Sequence, residues 1–375
     1  MRLTFAIKSM NRTGGGAERV MADVVNGLAG RGHDVSLLTF DCAGGESFYP
    51  LDPRVQRIEL DIGPVDHPSS LPVVLRRLPA IRAAVQKARP DVTVGFMHSM
   101  FIPMGMALAG SGVPIVASEH IVPSHYRSRP LEWALLRLAP LYVHTLVCVS
   151  PQAREFYPPS LRRKMVPIAN PVTLSVTGRA KVSGGTRNML LSVGRLEPQK
   201  DHATLIRAFA KISADLPDWN LTIVGDGVLR GELTDLIDSL GLHDRVHLPG
   251  ATQNIAAAYL ESQLFVQPSR YESFGLTTAE ALAHGLPAVG FVDCPGTNML
   301  IKNGENGALA LADDDRPAAL ADALRRLMAD ADLRRHCAEM TRGSLANNQI
   351  DVVLDDWEAL LSDVSKHPAP GTPAS

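Results

Sequence analysis

Two glutamates eight residues apart, Glu272 and Glu280, lie in the stretch Ser269-Arg-Tyr-Glu-Ser-Phe-Gly-Leu-Thr-Thr-Ala-Glu280. The residues around them say where each carboxylate points. Leu264-Phe-Val-Gln-Pro268 reads as a short buried strand ended by Pro268 and Ser269. Leu276 to Ala283 is rich in alanine and leucine and reads as a helix, with Gly285 as its stop. Glu272 therefore sits on the loop after a strand, and Glu280 about one turn into the following helix. The N–H groups that open that helix, near Phe274, Gly275 and Leu276, are a ready place for an anion. Upstream, Asn188 to Gly194 reads as an apolar strand, followed by Arg195, Lys200 and then Asp201 as N-cap of a helix over 201–214. A planar guanidinium and a compact ammonium beside a helix start suit adjacent phosphates. Each residue alone reads as an ordinary loop charge, first-turn acid or surface cation. Together they suit a ligand that carries a diphosphate and several hydroxyls, as a nucleotide-sugar does.

In order along the chain, Gly194-Arg-Leu with Lys200, Gly225-Asp-Gly227, and Glu272-Ser-Phe-Gly275 with Glu280 resemble the retaining glycosyltransferases of family four. In the first half, Gly14-Gly-Gly-Ala-Glu-Arg-Val20, Gly32-His-Asp-Val35 and Ser118-Glu-His120 stand where such enzymes carry similar segments. The resemblance extends to about residue 350 and is nearest to bacterial enzymes that extend lipid-linked oligosaccharides or capsule-type polysaccharides. It implies an α/β chain of the GT-B fold, two Rossmann-like parallel-sheet domains facing across a cleft. It also implies roles. Glu272 would meet hydroxyls of the donor sugar and Glu280 the ribose, while Arg195, Lys200 and the N–H groups of Phe274, Gly275 and Leu276 face the phosphates. The backbone around Leu248 would meet the base edge, Gly15 and Gly16 would let a loop approach the phosphates, and His120 would face the reacting sugar. No second facing carboxylate suggests a double displacement, so retention would proceed by attack on the same face.

The elements needed to place these residues are legible as two rounds of alternating strand and helix. A chain of 375 residues suggests two domains. Strands are expected at 3–7, 35–40, 55–60, 92–96, 115–118, 145–149 and 165–169. A second set is expected at 189–193, 221–224, 246–248, 264–267, 288–291 and 308–311. The expected division is an acceptor-binding domain over 1–170, a glycine-containing linker over 171–187, and a nucleotide-sugar domain over 188–350. A helix over 351–366, placed to cross back, and a disordered tail over 367–375 complete it. Val92 to Ser118 lacks Asp, Glu, Lys and Arg, but its prolines and glycines divide it into strand, helix and strand, against a membrane span.

Hydrophobic residues at 45% and charged residues at 20% fit large cores rather than disorder. Four scattered cysteines fit reduced thiols, and no signal-peptide pattern opens the chain, so a cytoplasmic location is expected. Gly225-Asp-Gly227 has the look of a dinucleotide fingerprint, yet the next strand ends at Pro249-Gly250 without a ribose-binding acid. The acids of Asp313–Asp315 and Asp330–Asp332 precede helical runs and read as caps rather than metal ligands, so no metal or other cofactor is expected.

Charge is uneven: residues 1–170 hold 19 Lys and Arg against 13 Asp and Glu, a net +6 within an overall −2. Arg76, Arg77 and Arg82, then Arg127 and Arg129 near Trp133, read as contacts to a polyprenyl-diphosphate-linked glycan or to an anionic membrane surface. Pro79 is expected to interrupt the first basic stretch. The expected partners are a nucleotide diphosphate sugar, for which UDP is the favoured nucleotide, and that lipid-linked glycan. They place the protein on the inner face of the cell membrane and exclude nucleic acid. The alternatives are a GT-B nucleotide-sugar epimerase, for which Glu119 beside His120 is the one hint, and a catalytically silent subunit of a glycan-assembly complex.

Overall fold

The computed structural model describes residues 1–11, 15–65, 70–172, 178–184, 187–252, 254–311 and 314–367. The chain forms two compact units, Met1–Pro171 with the segment from Ile350 onward, and Val172–Gln349. The acids at Asp313, the glycine at Gly14, parts of the expected linker and residues 368–375 of the expected tail lie outside the described residues.

Seven strands build the first unit: β1 (Arg2–Ala6), β2 (Asp34–Thr39), β3 (Gln56–Glu59), β4 (Val92–Phe96), β5 (Ile115–Glu119), β6 (Thr145–Cys148) and β7 (Met165–Pro167). They pair in parallel in the order β3-β2-β1-β4-β5-β6-β7. Every residue of β4 and β5 is buried, because crossover helices cover both faces of a parallel sheet. That burial accounts for the stretch without charge: it is β4, the helix His98–Ala107 and β5. No described helix is long and apolar enough to cross a membrane.

The second unit holds β8 (Asn188–Val193), β9 (Trp219–Val224), β10 (Val246–Gly250), β11 (Leu264–Val266), β12 (Ala288–Phe291) and β13 (Gly307–Ala310). Its parallel order is β10-β9-β8-β11-β12-β13. Both units are Rossmann-like, and loops at the carboxyl ends of such strands are where ligands are met. Gly225 explains the false fingerprint. It has φ +146°, and a Cβ there would stand 2.0 Å from the Gly194 carbonyl oxygen. The glycine lets the loop after β9 pack onto the loop after β8, where Leu196 N–H donates to the Asp226 carbonyl (2.9 Å) and Leu229 N–H to the Leu196 carbonyl (3.0 Å).

The helix Ile350–Lys366 belongs to the first unit. Its Trp357 is buried edge-on against Phe5 and stacked on Phe96, both at 6.0 Å between ring centres. Phe96 in turn stacks on His120 at 4.7 Å. At the rim, Arg31 donates to Asp355 (2.6 Å) and Glu358 (2.7 Å), and Glu358 also meets the His33 ring at 2.7 Å.

Two expectations are corrected. Leu71–Ala88 is one helix that runs through Pro79. Its buried face, Arg77, Ile81 and Val85, spans the proline at four-residue spacing, while Pro79 itself faces solvent, where a helix bends most easily. Asp201 stands at the N-cap position in a left-handed conformation, φ +51°, and its carboxylate makes no capping bond. It accepts the Thr204 hydroxyl (2.9 Å) and pairs with Arg270 (3.1 Å).

Candidate functional site

In the second unit the loops after β8 and β11 are zipped together. Arg270 N–H donates to the Gln199 carbonyl and the Gln199 side chain donates to the Tyr271 carbonyl, each at 2.9 Å. This brings Lys200 to Glu272 across 72 residues of sequence, Nζ to Oε1 at 2.6 Å, with both side chains largely shielded. Two further donors converge on the same oxygen, the Gln267 amide at 3.0 Å and the Ser269 hydroxyl at 2.6 Å. Gln267 and Ser269 are fully buried, and the Gln267 carbonyl accepts the Thr277 hydroxyl (3.2 Å) from the first turn of the next helix. Oε1 is thus saturated, and among the described residues no hydrogen bond is made to Oε2. A carboxylate held this way has a fixed direction and one oxygen left for a hydroxyl donor.

The helix that follows, Leu276–Ala283, opens at Gly275 with φ +86° and no side-chain cap. Gly296 packs under this turn, since a Cβ there would lie 2.8 Å from Glu272 Cβ and from the backbone of buried Phe274. Glu280 accepts the Tyr259 hydroxyl at 2.9 Å, and Tyr259 is itself buried and stacked on His284. Arg195 does not join the Lys200–Glu272 pair. Its side chain is 68% exposed and bonds Glu197 at 2.8 Å. Leu248 is half-buried, and its carbonyl accepts from Arg230 at 3.1 Å, so one lone pair of that edge is already taken. Asp315 and Asp330 each cap the helix that follows, accepting from Ala318 N–H and from Asp332 and Leu333 N–H. Among the described residues no three His, Cys, Asp or Glu side chains converge as a metal site.

In the first unit, Gly15 and Gly16 open the helix Gly16–Gly30, with Gly15 as its extended N-cap. His120 follows β5, with Nε2 2.9 Å from the Ser118 hydroxyl and Nδ1 buried without a partner among the described residues. Burial pushes its pKa down to about 4, so the ring is neutral at pH 7. Glu119 is fully enclosed, and burial raises its carboxyl to about 8. It belongs to a hydrogen-bonded chain through Tyr126 and His98.

The basic residues separate into two kinds. Arg77, expected at a surface, is buried: it donates to the Ile62 carbonyl (2.9 Å) and lies 3.9 Å over the Phe40 ring. Arg82 donates to the carbonyls of Ala107 (2.9 Å) and Ala109 (3.1 Å). Arg77 therefore serves the fold, whereas Arg82, half-buried, spends one nitrogen on carbonyls and keeps its other N–H donors. Arg76, Arg127 and Arg129 are exposed, beside exposed Leu75, Leu131, Leu138 and Leu141.

Sequence reasoning missed Gln267, Ser269, Gly296, Tyr259, Tyr126 and His98 as parts of these sites. Most are neutral residues whose importance comes from what they touch; the one available signal was the nearness of Gln267 and Ser269 to Glu272.

The family description "Glycosyl transferases group 1" matches residues 179–344, and "Glycosyltransferase Family 4" matches residues 14–176. An exopolysaccharide phosphotransferase of Streptomyces coelicolor is 35% identical over 68% of this chain, a match that spans 27% of that longer protein. A Campylobacter jejuni N-acetylgalactosaminyltransferase, named for a diNAcBac-PP-undecaprenol-linked acceptor, is 26% identical over 97% of this chain and 99% of its own. The structure of HepE from Anabaena in complex with UDP and glucose superposes with a TM-score of 0.79 at 19% identity, covering 96% of this chain and 99% of that one.

Proposed function

The chain belongs to the family-four glycosyltransferases of the GT-B fold, and from that premise we propose that it moves a hexose or N-acetylhexosamine from UDP to a lipid-linked glycan with retention. The observation that carries this reading is the Lys200–Glu272 pair, with Glu272 Oε1 saturated by three donors and Oε2 left for a ligand. It lies beside the helix start at Gly275, whose N–H groups favour negative charge.

Cleaving a sugar–phosphate bond builds negative charge on the leaving diphosphate and positive charge at the anomeric carbon. Lys200 and the helix start stabilise the first, and preorganised donors of this kind supply the largest share of catalysis, while exposed Arg195 adds a cation that helps hold the diphosphate in the ground state. Glu272 Oε2 accepts a sugar hydroxyl, and Glu280, steadied by Tyr259, accepts from the ribose. The acceptor hydroxyl attacks from the side the diphosphate leaves, and a donor phosphate oxygen takes its proton. His120, neutral at pH 7, offers a hydrogen bond rather than a charge to the sugar. These groups neutralise the leaving group without a metal, so EDTA leaves turnover unchanged.

UDP as the nucleotide is supported by the HepE complex, and the lipid-linked acceptor by the Campylobacter relative. Exposed leucines interleaved with Arg76, Arg127 and Arg129 favour peripheral attachment to the inner face of the cell membrane. A mass-spectrometric screen of nucleotide-sugars, followed by transfer to a polyprenyl-diphosphate-linked disaccharide, tests the reading. The expected result is one bound UDP-sugar and an α-linked product one sugar longer. An epimerised donor formed without acceptor, or no donor bound at all, overturns it.

A further inference from the structure

Four side chains of the first unit form an unbroken line from its interior to its surface. Glu119, the last residue of β5, accepts Ile121 N–H on Oε1 at 3.0 Å and places Oε2 2.9 Å from the Tyr126 hydroxyl. The same hydroxyl is 2.8 Å from His98 Nδ1, and His98 Nε2 is 3.1 Å from Glu132 Oε2. Glu119, Tyr126 and His98 are buried, whereas the Glu132 side chain is 38% exposed with Arg129 3.4 Å away.

Three links need three protons, and one hydroxyl proton can serve only one neighbour. Two arrangements with a neutral His98 ring satisfy every link; a third, with the ring charged between two carboxylates, is disfavoured because burial pushes the His98 pKa down to about 4. In one, Glu119 is ionised, Tyr126 donates to it, His98 Nδ1–H donates to Tyr126, and Glu132 carries a proton for Nε2. In the other, Glu119 is the acid and donates to Tyr126, Tyr126 donates to Nδ1, and Nε2–H donates to ionised Glu132. The arrangements hold the same three protons and the same single negative charge, and each becomes the other when every proton moves one link. They differ only in where the charge rests. At Glu119 it would be enclosed beside the Tyr126 and Tyr157 hydroxyls and the N–H groups of His120 and Ile121, with no cation among the described residues; at Glu132 it meets water and Arg129. Burying an unpaired charge is the costlier choice.

We infer that Glu119 is held as a neutral carboxylic acid, that its charge is exported through Tyr126 and His98 to Glu132, and that it is a positioning residue for the turn carrying His120. The last clause rests on the transferase reading; the proton chain does not. The turn is braced twice, by Glu119 on Ile121 N–H and by the Tyr157 hydroxyl on the Ile121 carbonyl. The groups facing the chain are His120 after β5, Tyr126 and His125 from Pro123–Ser128, Arg129 and Glu132 at the next helix, His98 from His98–Ala107, and Tyr157. When Glu119 loses its proton, two protons must serve three links and the line breaks. Burial places that event near pH 8, and it keeps His98, near 4, from supplying a replacement.

Infrared difference spectroscopy on the full chain reads the state directly. A protonated-carboxyl band is expected at neutral pH, lost as pH rises through about 8, and absent from E119Q. E132Q should move the loss to lower pH, because one nearby anion is gone. In transfer assays the wild type should show an alkaline fall in kcat without a change in donor KM. E119Q, whose amide can still donate to Tyr126 and accept from Ile121, should lack that limb. No Glu119 band at neutral pH overturns the proton chain, and an unaltered alkaline limb in E119Q overturns the positioning role. A titrating band in a protein that transfers no sugar would sink the transferase reading alone.

Discussion

The Glu272 carboxylate is the residue on which most of the chemistry turns, and its worth lies in three donors that fix one oxygen and release the other. Removing Lys200 takes away a leaving-group cation and leaves Glu272 held by neutral donors alone. Lys200→Ala should therefore cost about 3 kcal/mol of transition-state stabilisation, read as a fall of two orders of magnitude in kcat. Arg195→Ala should act mainly on donor KM, because the guanidinium is exposed and, among the described residues, pairs with Glu197 alone. Near-normal turnover of Lys200→Ala would contradict the phosphate assignment. Glu280→Ala should weaken UDP binding in calorimetry, whereas Glu272→Gln should lower turnover with UDP affinity largely retained, since its partner is the reacting sugar. Equal losses of UDP affinity in both variants would contradict the split.

At the scale of elements, the helix Ile350–Lys366 reaches His120 through the stack Trp357, Phe96 and His120. Trp357→Ala removes a fully buried indole and should cost about 3–5 kcal/mol of stability. Chemical denaturation measures that loss, and a change in the His120 ring resonances would report that the stack reaches the site. An unshifted His120 signal in a destabilised variant would confine the helix to a structural role. The same logic explains Pro79: a helix whose buried side chains lie at regular spacing on both sides of a proline keeps its course, because tertiary packing outweighs one lost backbone bond.

For the whole molecule, the enclosed carboxyl of Glu119 makes stability depend on pH with a definite sign. Folded Glu119 keeps its proton to about pH 8, whereas the unfolded group releases it near 4.5. Between those values the unfolded state binds fewer protons, so stability falls as pH rises. Each unit is worth about 1.4 kcal/mol, so the total is a few kcal/mol at most. E119Q lacks this slope, while the opposite slope from the neutral rings of His120 and His202 is common to both proteins. The stability difference between E119Q and the wild type should therefore grow in favour of E119Q from pH 5 to 8, and a flat difference in denaturant titrations would contradict it. The proposed membrane attachment is tested at the same scale. Co-sedimentation with anionic but not neutral vesicles, reversed by high salt, is expected, and Arg127 and Arg129 changed together to Glu should abolish it. Arg77 is no longer a suitable target, since its guanidinium is buried among carbonyls. Undiminished binding of the double variant would remove the basic patch from the explanation.

By itself the sequence determined the parallel α/β sheets, every strand of both to within one or two residues, the loop placement of Glu272 and Lys200, and that of Glu280 one turn into the helix Leu276–Ala283. Strand runs and glycine stops are local signals, and the order of the motifs carried the family. Only the tertiary structure decided which charges meet. Arg195 and Lys200 are five residues apart yet point to different partners, whereas Lys200 and Glu272 are 72 apart and share a bond of 2.6 Å. It also decided that Arg77 is interior while Arg76 is exposed, and that Glu119 holds a proton. Sequence spacing fixes the direction of a side chain within one element, but burial and pairing arise from the element packed against it.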